Sequence, residues 1–120
     1  MFVEKRRYPR VKQSLPIKLC DNEYDIVTET KNISGNGVYC AVNRKLPLMT
    51  KLKIILLIPL RKNNRKILRK ITCNGIVVRQ AYMKNNGKYS YDTGIYFNEI
   101  KESDRKVILS YIDTSLKKTF

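Results

Sequence analysis

Three arginines stand within five residues near the start of the chain, in the stretch RRYPR at residues 6–10. A guanidinium group is planar and permanently charged, and its paired N–H donors match both phosphate oxygens and the O6/N7 edge of guanine. Arg6 and Arg10 are four residues apart, so they point to the same side of an extended chain or converge across a turn. Pro9 disfavours helical geometry at Tyr8. The stretch is therefore either a site for an anionic partner or a solvated basic terminus.

A second polar group follows in the stretch NISGNG at residues 32–37. Asn32 and Ser34 are expected on the same face of a strand, because strand side chains alternate. The Asn32 amide can hydrogen-bond a purine edge, the Ser34 hydroxyl can serve a phosphate or a ribose, and Gly37 can let a ligand approach the backbone. The same residue types also form ordinary β-turns, so NISGNG alone does not distinguish a binding site from a turn.

The charge of the chain favours an anionic partner without naming it. The 120 residues predict one domain and carry a formal charge of +15, from 25 basic and 10 acidic side chains. Between Glu29 and Asp92 there are fourteen Lys and Arg residues and no acidic residue. A field of one sign raises the local concentration of anions. Charge alone does not separate nucleic acid, nucleotides, acidic membranes and acidic proteins.

The composition argues against an enzyme. The chain contains no histidine, so triads of the Ser/His/Asp or Cys/His kind cannot be assembled. The acidic residues cluster at 4–29 and 92–113 without the pattern of a carboxylate pair, and the sequence has no phosphate-binding Gly-rich loop or dinucleotide fingerprint. We therefore expect a binding protein that is not an enzyme and has no metal site.

The cysteines and the apolar segments indicate a cytoplasmic protein. Cys20, Cys40 and Cys73 are odd in number, lack the spacing of a zinc site and lie in apolar, strand-like stretches. Such residues predict small buried thiols in a reducing compartment. The start of the chain lacks the apolar core of a signal peptide, and the longest apolar run, residues 54–60, is too short for a transmembrane segment.

The elements that must position the polar residues are mostly strands. Alternation and turn signals predict six of them, at residues 14–20, 25–33, 38–42, 51–60, 67–80 and 89–97. Asn-Gly or Asn-Asn-Gly signals predict turns at residues 34–37 and 85–87 and a bulge or bend at residues 74–75. Residues 61–66, RKNNRK, indicate a polar hairpin loop. Helical spacing of apolar residues predicts an amphipathic helix at residues 103–117.

Six short strands expose sheet edges unless they close into a barrel, and the helix can then cover one mouth or edge. The predicted organisation is an N-terminal arm at residues 1–13 followed by a barrel and helix at residues 14–120, within a single domain.

Taken together, the two polar motifs and the strand order resemble the PilZ domain family. The family pattern is RxxxR near the amino terminus, then [D/N]xSxxG, then a six-stranded barrel and a C-terminal helix. Arg6 and Arg10 match the first motif, and Asn32, Ser34 and Gly37 match the second. Lys5 and Arg7 are adjacent basic residues. The stretch TGIYFNEI at residues 93–100 is also similar to the closing strand of that family, so the resemblance covers nearly the whole chain.

The resemblance implies a mainly β fold, a six-stranded antiparallel PilZ-type β-barrel with a flexible N-terminal arm and one C-terminal α-helix. It also implies a receptor for the bacterial second messenger cyclic di-GMP, with no cofactor besides this ligand. The arginines would grip guanine edges and phosphates, while the strand motif would read the base. Asn32 stands where aspartate is common, and an uncharged amide presents only one acceptor group, which lowers the expected affinity.

The expected mechanism is a ligand-driven switch, in which a mobile arm closes over cyclic di-GMP and presents a changed surface to a separate protein partner. Members of the family bind one or two ligand copies, so a monomer and a ligand-linked dimer both stay open. Two alternatives remain at this point. One is a PilZ-like adaptor that acts without ligand, and the other, which is less expected, is a basic nucleic-acid-binding barrel.

Overall fold

A computed structural model describes residues 8–85 and 88–117 of the chain. In these residues the strands and the helix follow the order β1 (Pro16–Cys20), β2 (Asp25–Ser34), β3 (Gly37–Val42), β4 (Lys51–Lys62), β5 (Arg65–Asn85), β6 (Lys88–Glu99) and α1 (Glu102–Lys117). Every strand pairing is antiparallel, and the strands close a barrel in the order β1-β2-β3-β6-β5-β4. The predicted fold class, a six-stranded antiparallel barrel followed by one helix, is confirmed.

The barrel interior is built from the alternation that the sequence shows. In β4 the side chains of Leu52, Ile54, Leu56 and Ile58 are buried, and the residues between them are more exposed. Because neighbouring side chains of a strand point to opposite faces, this pattern turns one face of each strand into the core. Helix α1 adds Ile108 and Ile112 to the same core and packs against β2 and β4.

The hairpin between β4 and β5 is longer than the sequence predicts. Its ladder continues to the pair Lys62–Arg65, so the turn consists of Asn63 and Asn64 alone. Both residues have positive φ, 53° and 63°, as a type I′ turn requires, and the twist of this turn matches that of the flanking strands. The predicted loop at residues 61–66 is therefore wrong except at its two central residues, because the ladder holds the flanking cations in extended strands.

The bulge predicted at residues 74–75 is confirmed. The register of β5 against β6 shifts between Asn74 and Ile76, and Gly75 occupies the irregular position. The same strand pair shifts again between Val77 and Arg79. The predicted turn at residues 85–87 lies partly outside the described residues.

The described part of the predicted arm is attached to β2. Val11 is 7% exposed, and its backbone exchanges two hydrogen bonds with Ile33, with N···O distances of 3.0 and 2.9 Å. The hydroxyl of Thr30 accepts a hydrogen bond from the Leu15 N–H and donates one to the Gln13 carbonyl. Val11 therefore belongs to the barrel core, while the boundary of the arm at residue 13 stays a prediction.

All three cysteines carry free thiols. Cys40 and Cys73 are buried, as predicted, whereas Cys20 is half-buried. Burial raises the pKa of the Cys40 thiol, and that of Cys73, to about 12. Within residues 8–85 and 88–117, no helix combines the length and the apolar character that a membrane span requires.

Candidate functional site

The turn between β2 and β3 presents the side chains of the second motif. Asn32 pairs with Tyr39 and Ser34 with Gly37, while Ile33 between them is fully buried in the core. Since alternate residues of a strand share a face, Asn32 and Ser34 both face away from the core, although Ser34 is only 7% exposed. Their predicted placement on one face agrees with the structure.

The hydroxyl of Ser34 is engaged within the turn. It donates a hydrogen bond to Asn36 Oδ1 at 2.7 Å and accepts one from the Asn36 backbone N–H at 3.3 Å. The Asn36 carbonyl in turn accepts a hydrogen bond from the Phe97 N–H at 2.9 Å, which joins the turn to β6. Ser34 and Asn36 thus form a local polar unit, and a ligand that used the Ser34 hydroxyl would compete with Asn36 for it.

Gly37 is required by the packing of two strands. It pairs with Tyr96 of β6, and a Cβ atom at this position would lie 2.4 Å from the Ile95 carbonyl oxygen. That distance is far below van der Waals contact, so any other residue would push β3 and β6 apart. The close approach that the structure shows at Gly37 is that of a neighbouring strand, whereas the sequence suggested that of a ligand.

One open cleft of about 200 Å³ brings the two motifs together. Arg10 of the arm lies beside Asn32, Ser34 and Gly37, although the two motifs are far apart in the sequence. The remaining lining residues are Asn36, Val38, Tyr39, Val78, Arg79, Gly94, Ile95 and Tyr96. Of the seven predicted ligand-binding residues, Arg10, Asn32, Ser34 and Gly37 share this cleft. The other three, Lys5, Arg6 and Arg7, lie outside the described residues.

Strands β5 and β6 line the cleft with further residues that the two sequence motifs did not indicate. Arg79 of β5 adds a second guanidinium group, and Val78 and Tyr96 add exposed apolar surface. Tyr39 lies over Gly94, where a Cβ atom would be 3.2 Å from Tyr39 Cε1. Guanidinium groups beside aromatic and aliphatic side chains suit an anion that also has flat, apolar faces. Arg79 could have been suspected from the sequence, because a charged residue directly follows the apolar residues IVV in a predicted strand.

Helix α1 supports the turn from a position outside the cleft. Arg105 donates a hydrogen bond from Nε to the Gly35 carbonyl oxygen at 3.0 Å, and its guanidinium also contacts Glu102. The guanidinium carbon lies 5.7 Å from the centre of the Tyr8 ring. A Cβ atom at Gly35 would lie 2.7 Å from Leu109 Cδ2 and 3.0 Å from Tyr8 Cγ. Tyr8 of the RRYPR stretch therefore packs against the turn and the helix.

The described residues offer no alternative site based on a metal. Across residues 8–85 and 88–117, no three Cys, Asp or Glu side chains are grouped closely enough to hold a metal ion. The polar groups of the cleft are guanidinium, amide and hydroxyl groups, which donate or accept hydrogen bonds to an anion or a base edge.

The match to a family model covers both the barrel and the two motifs. The model of the PilZ domain matches residues 4–114, which include every residue of the cleft and the basic residues at positions 5–7. The chain belongs to the PilZ domain family, as the sequence motifs predicted. A comparison with curated proteins finds no sequence match.

Solved structures of PilZ proteins share the fold. The Bacillus subtilis inhibitor of motility MotI/DgrA superposes with a TM-score of 0.77 at 23% identity, over 97% of this chain and 54% of that one. The complex of K. pneumonia MrkH with cyclic di-GMP gives 0.72 at 17% identity, over 98% and 57%. The PilZ domain of Escherichia coli YcgR with cyclic di-GMP gives 0.66 at 11% identity, over 97% and 94%. The chain thus spans about half the length of the MotI and MrkH chains.

Proposed function

We propose that this PilZ domain is a receptor for cyclic di-GMP, and that the ligand binds in the cleft that contains Arg10, Asn32 and Ser34. The observation that carries the proposal is that the described arginine of the first motif and the polar residues of the second motif line the same cleft. Two structural neighbours, the YcgR PilZ domain and MrkH, are complexes with cyclic di-GMP, which supports the choice of ligand.

The chemistry of the cleft fits the two kinds of group in this ligand. Cyclic di-GMP contains two phosphodiesters and two guanines. A guanidinium group, at Arg10 or at Arg79, can bind a phosphate through charge-assisted hydrogen bonds or the O6/N7 edge of guanine through a bidentate pair. The Asn32 amide can hydrogen-bond a base edge, and the surface of Val78 and Tyr96 can cover a base face. The net charge of +15 would also attract the dianion.

The arm supplies further cations to the same ligand in the proposed complex. Lys5, Arg6 and Arg7 precede Arg10, so an arm that closed over the cleft would add several charges to it. Ordering a chain segment costs on the order of 1–2 kcal/mol per residue, and several charge-assisted hydrogen bonds are needed to offset that cost. The closed arm would present a changed surface, through which we propose that a cytoplasmic protein partner is controlled, by a monomer or by a ligand-linked dimer.

Calorimetric titration of cyclic di-GMP tests the receptor proposal. Wild type should bind saturably, and Arg10→Ala, Asn32→Ala and Arg79→Ala should each weaken binding, with about a tenfold loss or more for Arg10→Ala because a charge-assisted contact disappears. Arg65→Ala is the matched control, since Arg65 is exposed at the end of the β4–β5 hairpin and does not line the cleft.

Linear GMP and cyclic AMP should not compete, because neither offers two guanines and two phosphodiesters in one ring. An absence of saturable binding at about tens of micromolar ligand would contradict the proposal. An equal loss in Arg10→Ala and Arg65→Ala would mean that the ligand senses only the general positive charge.

A further inference from the structure

The end of the β4–β5 hairpin carries the densest positive charge in the described part of the chain. We call residues 59–70 the basic hairpin. Every side chain from residue 61 to residue 70 is exposed, and none of these residues is acidic. Six of the ten are cations, namely Arg61, Lys62, Arg65, Lys66, Arg69 and Lys70. Arg69 reaches the carboxylate of Asp104 on α1 at 3.9 Å.

Exposed apolar side chains lie among these cations. Leu68 is 64% exposed and Ile67 is 41% exposed. The strand register places Leu68 opposite Pro59. On the same face, two residues nearer the turn, Lys66 lies opposite Arg61. Lys70 occupies the same face on the other side of Leu68. This face of the basic hairpin is therefore an apolar pair between basic residues.

The cations are arranged in a way that costs stability in the free protein. Arg61 stands directly opposite Lys66, and Lys62 stands directly opposite Arg65. Like charges at directly opposed cross-strand positions repel each other. The two-residue turn nevertheless keeps the ladder regular up to the pair Lys62–Arg65. A partner with a dense negative surface would remove the repulsion, whereas water alone only screens it.

We propose that the basic hairpin docks the domain onto an anionic phospholipid membrane. The cations of this face would contact the headgroups, and Leu68 would enter the interfacial region, where apolar area and basic charge both contribute to binding. A nucleic acid fits the hairpin less well, because residues 61–70 include no aromatic side chain for base stacking and Leu68 gains nothing from a phosphate backbone. No residue of the hairpin lines the cleft described above, so docking does not require cyclic di-GMP.

Flotation of the full chain with lipid vesicles tests the proposal. Wild type should bind vesicles of phosphatidylglycerol and phosphatidylcholine, and not vesicles of phosphatidylcholine alone. The double variant Arg61→Glu/Lys66→Glu should lower vesicle binding on the order of tenfold or more, because each cation near an anionic surface raises the binding constant severalfold. Lys51→Glu/Lys53→Glu changes the net charge equally, at exposed positions of β4 away from the hairpin end, and should retain most of the binding.

Leu68→Ser tests the apolar contribution without changing the charge, and should lower binding severalfold, on the order of tenfold at most. Far-UV circular dichroism and thermal melting of each variant establish that the barrel is intact.

Three results would overturn the proposal. One is wild-type protein that does not prefer phosphatidylglycerol. Another is an equal loss from the hairpin pair and the control pair, which would indicate attraction by net charge alone. The third is a combination of two results: the Leu68→Ser variant binds vesicles like wild type, and the Arg61→Glu/Lys66→Glu variant loses binding to duplex DNA. This combination would assign the hairpin to nucleic acid instead.

Discussion

The two glycines at the edge of the cleft differ in what surrounds them. At Gly37 a Cβ atom would lie 2.4 Å from a backbone oxygen of Ile95, whereas at Gly94 the nearest atom is Tyr39 Cε1 at 3.2 Å. A side chain can rotate away, but a paired strand cannot move without losing its hydrogen bonds. We therefore expect Gly37→Ala to lower the free energy of unfolding by roughly 2–3 kcal/mol and Gly94→Ala by about 1 kcal/mol or less.

Urea unfolding followed by circular dichroism measures both losses. Gly94→Ala also places a methyl group beside Tyr39 and Arg79, so it should affect the cleft more than the fold. Equal stability losses in the two variants would show that β3 and β6 can separate at Gly37 without cost, contrary to the geometry.

Individual residues of the site could be predicted from the sequence only where they belong to a short motif. Arg10, Asn32 and Ser34 belong to short motifs whose residue types suggest anion and base recognition, and the structure gathers them. Arg79 could not be placed in the same way. Its position beside the cleft depends on the register of β5 against β6, which shifts twice, between Asn74 and Ile76 and between Val77 and Arg79. Such shifts arise from tertiary packing, as at Gly75 against Ile54, and not from local propensity.

At the scale of elements, Arg105 connects α1 to the turn between β2 and β3. Its Nε donates to the Gly35 carbonyl oxygen, and its guanidinium lies near the Tyr8 ring, so helix, turn and arm meet at one side chain. Arg105→Ala should lower the free energy of unfolding by about 1–2 kcal/mol, because it leaves a carbonyl of a buried residue without its charged donor. It should also increase hydrogen exchange at residues 34–37.

Lys106→Ala is the control, since Lys106 is the next residue of the helix and is exposed. Arg105→Lys keeps the charge but not the Nε–H donor, and should behave like the alanine variant in hydrogen exchange. Unchanged exchange at residues 34–37 in Arg105→Ala would show that the turn holds its conformation without the helix.

The elements themselves were largely predictable because their patterns are local. Alternating apolar residues gave the strands, and the spacing of Ile108 and Ile112 gave the helix. The exception is the end of the β4–β5 hairpin, where a run of cations indicated a loop. There the turn residues Asn63 and Asn64, which tolerate positive φ, decide the conformation, and the strands continue through the charged residues.

At the scale of the whole molecule, the barrel separates two basic surfaces. The cleft is lined from the arm, β2, β3, β5 and β6, and none of its lining residues belongs to the basic hairpin. Because both surfaces are positive, the molecule attracts anions in general, and selectivity must come from the geometry of each surface. A closed sheet suits this arrangement, since its strands hold both surfaces in fixed positions on one core.

The same core makes the stability of the barrel depend on pH through its buried thiols. Burial, reinforced by the carboxylate of Asp92, raises the pKa of Cys40 from its ordinary 9.0 to about 12. Below about pH 9 the thiol is neutral in both the folded and the unfolded chain, and its full contribution to stability is present. Between pH 9 and pH 12 the thiol ionises in the unfolded chain but not in the barrel, so stability falls as the pH rises.

For Cys40 the expected loss between about pH 8 and about pH 10 is on the order of 1 kcal/mol in the free energy of unfolding. Other groups also titrate in this range, so the measurement is a comparison of wild type with Cys40→Ala by urea unfolding at both pH values. Cys40→Ala should be less stable than wild type at the lower pH, because the buried sulfur atom is missing. On going to the higher pH, however, it should lose less stability than wild type. If both proteins lose the same amount, the Cys40 thiol ionises as easily inside the barrel as outside it, and the packing around β3 must be looser than the structure shows.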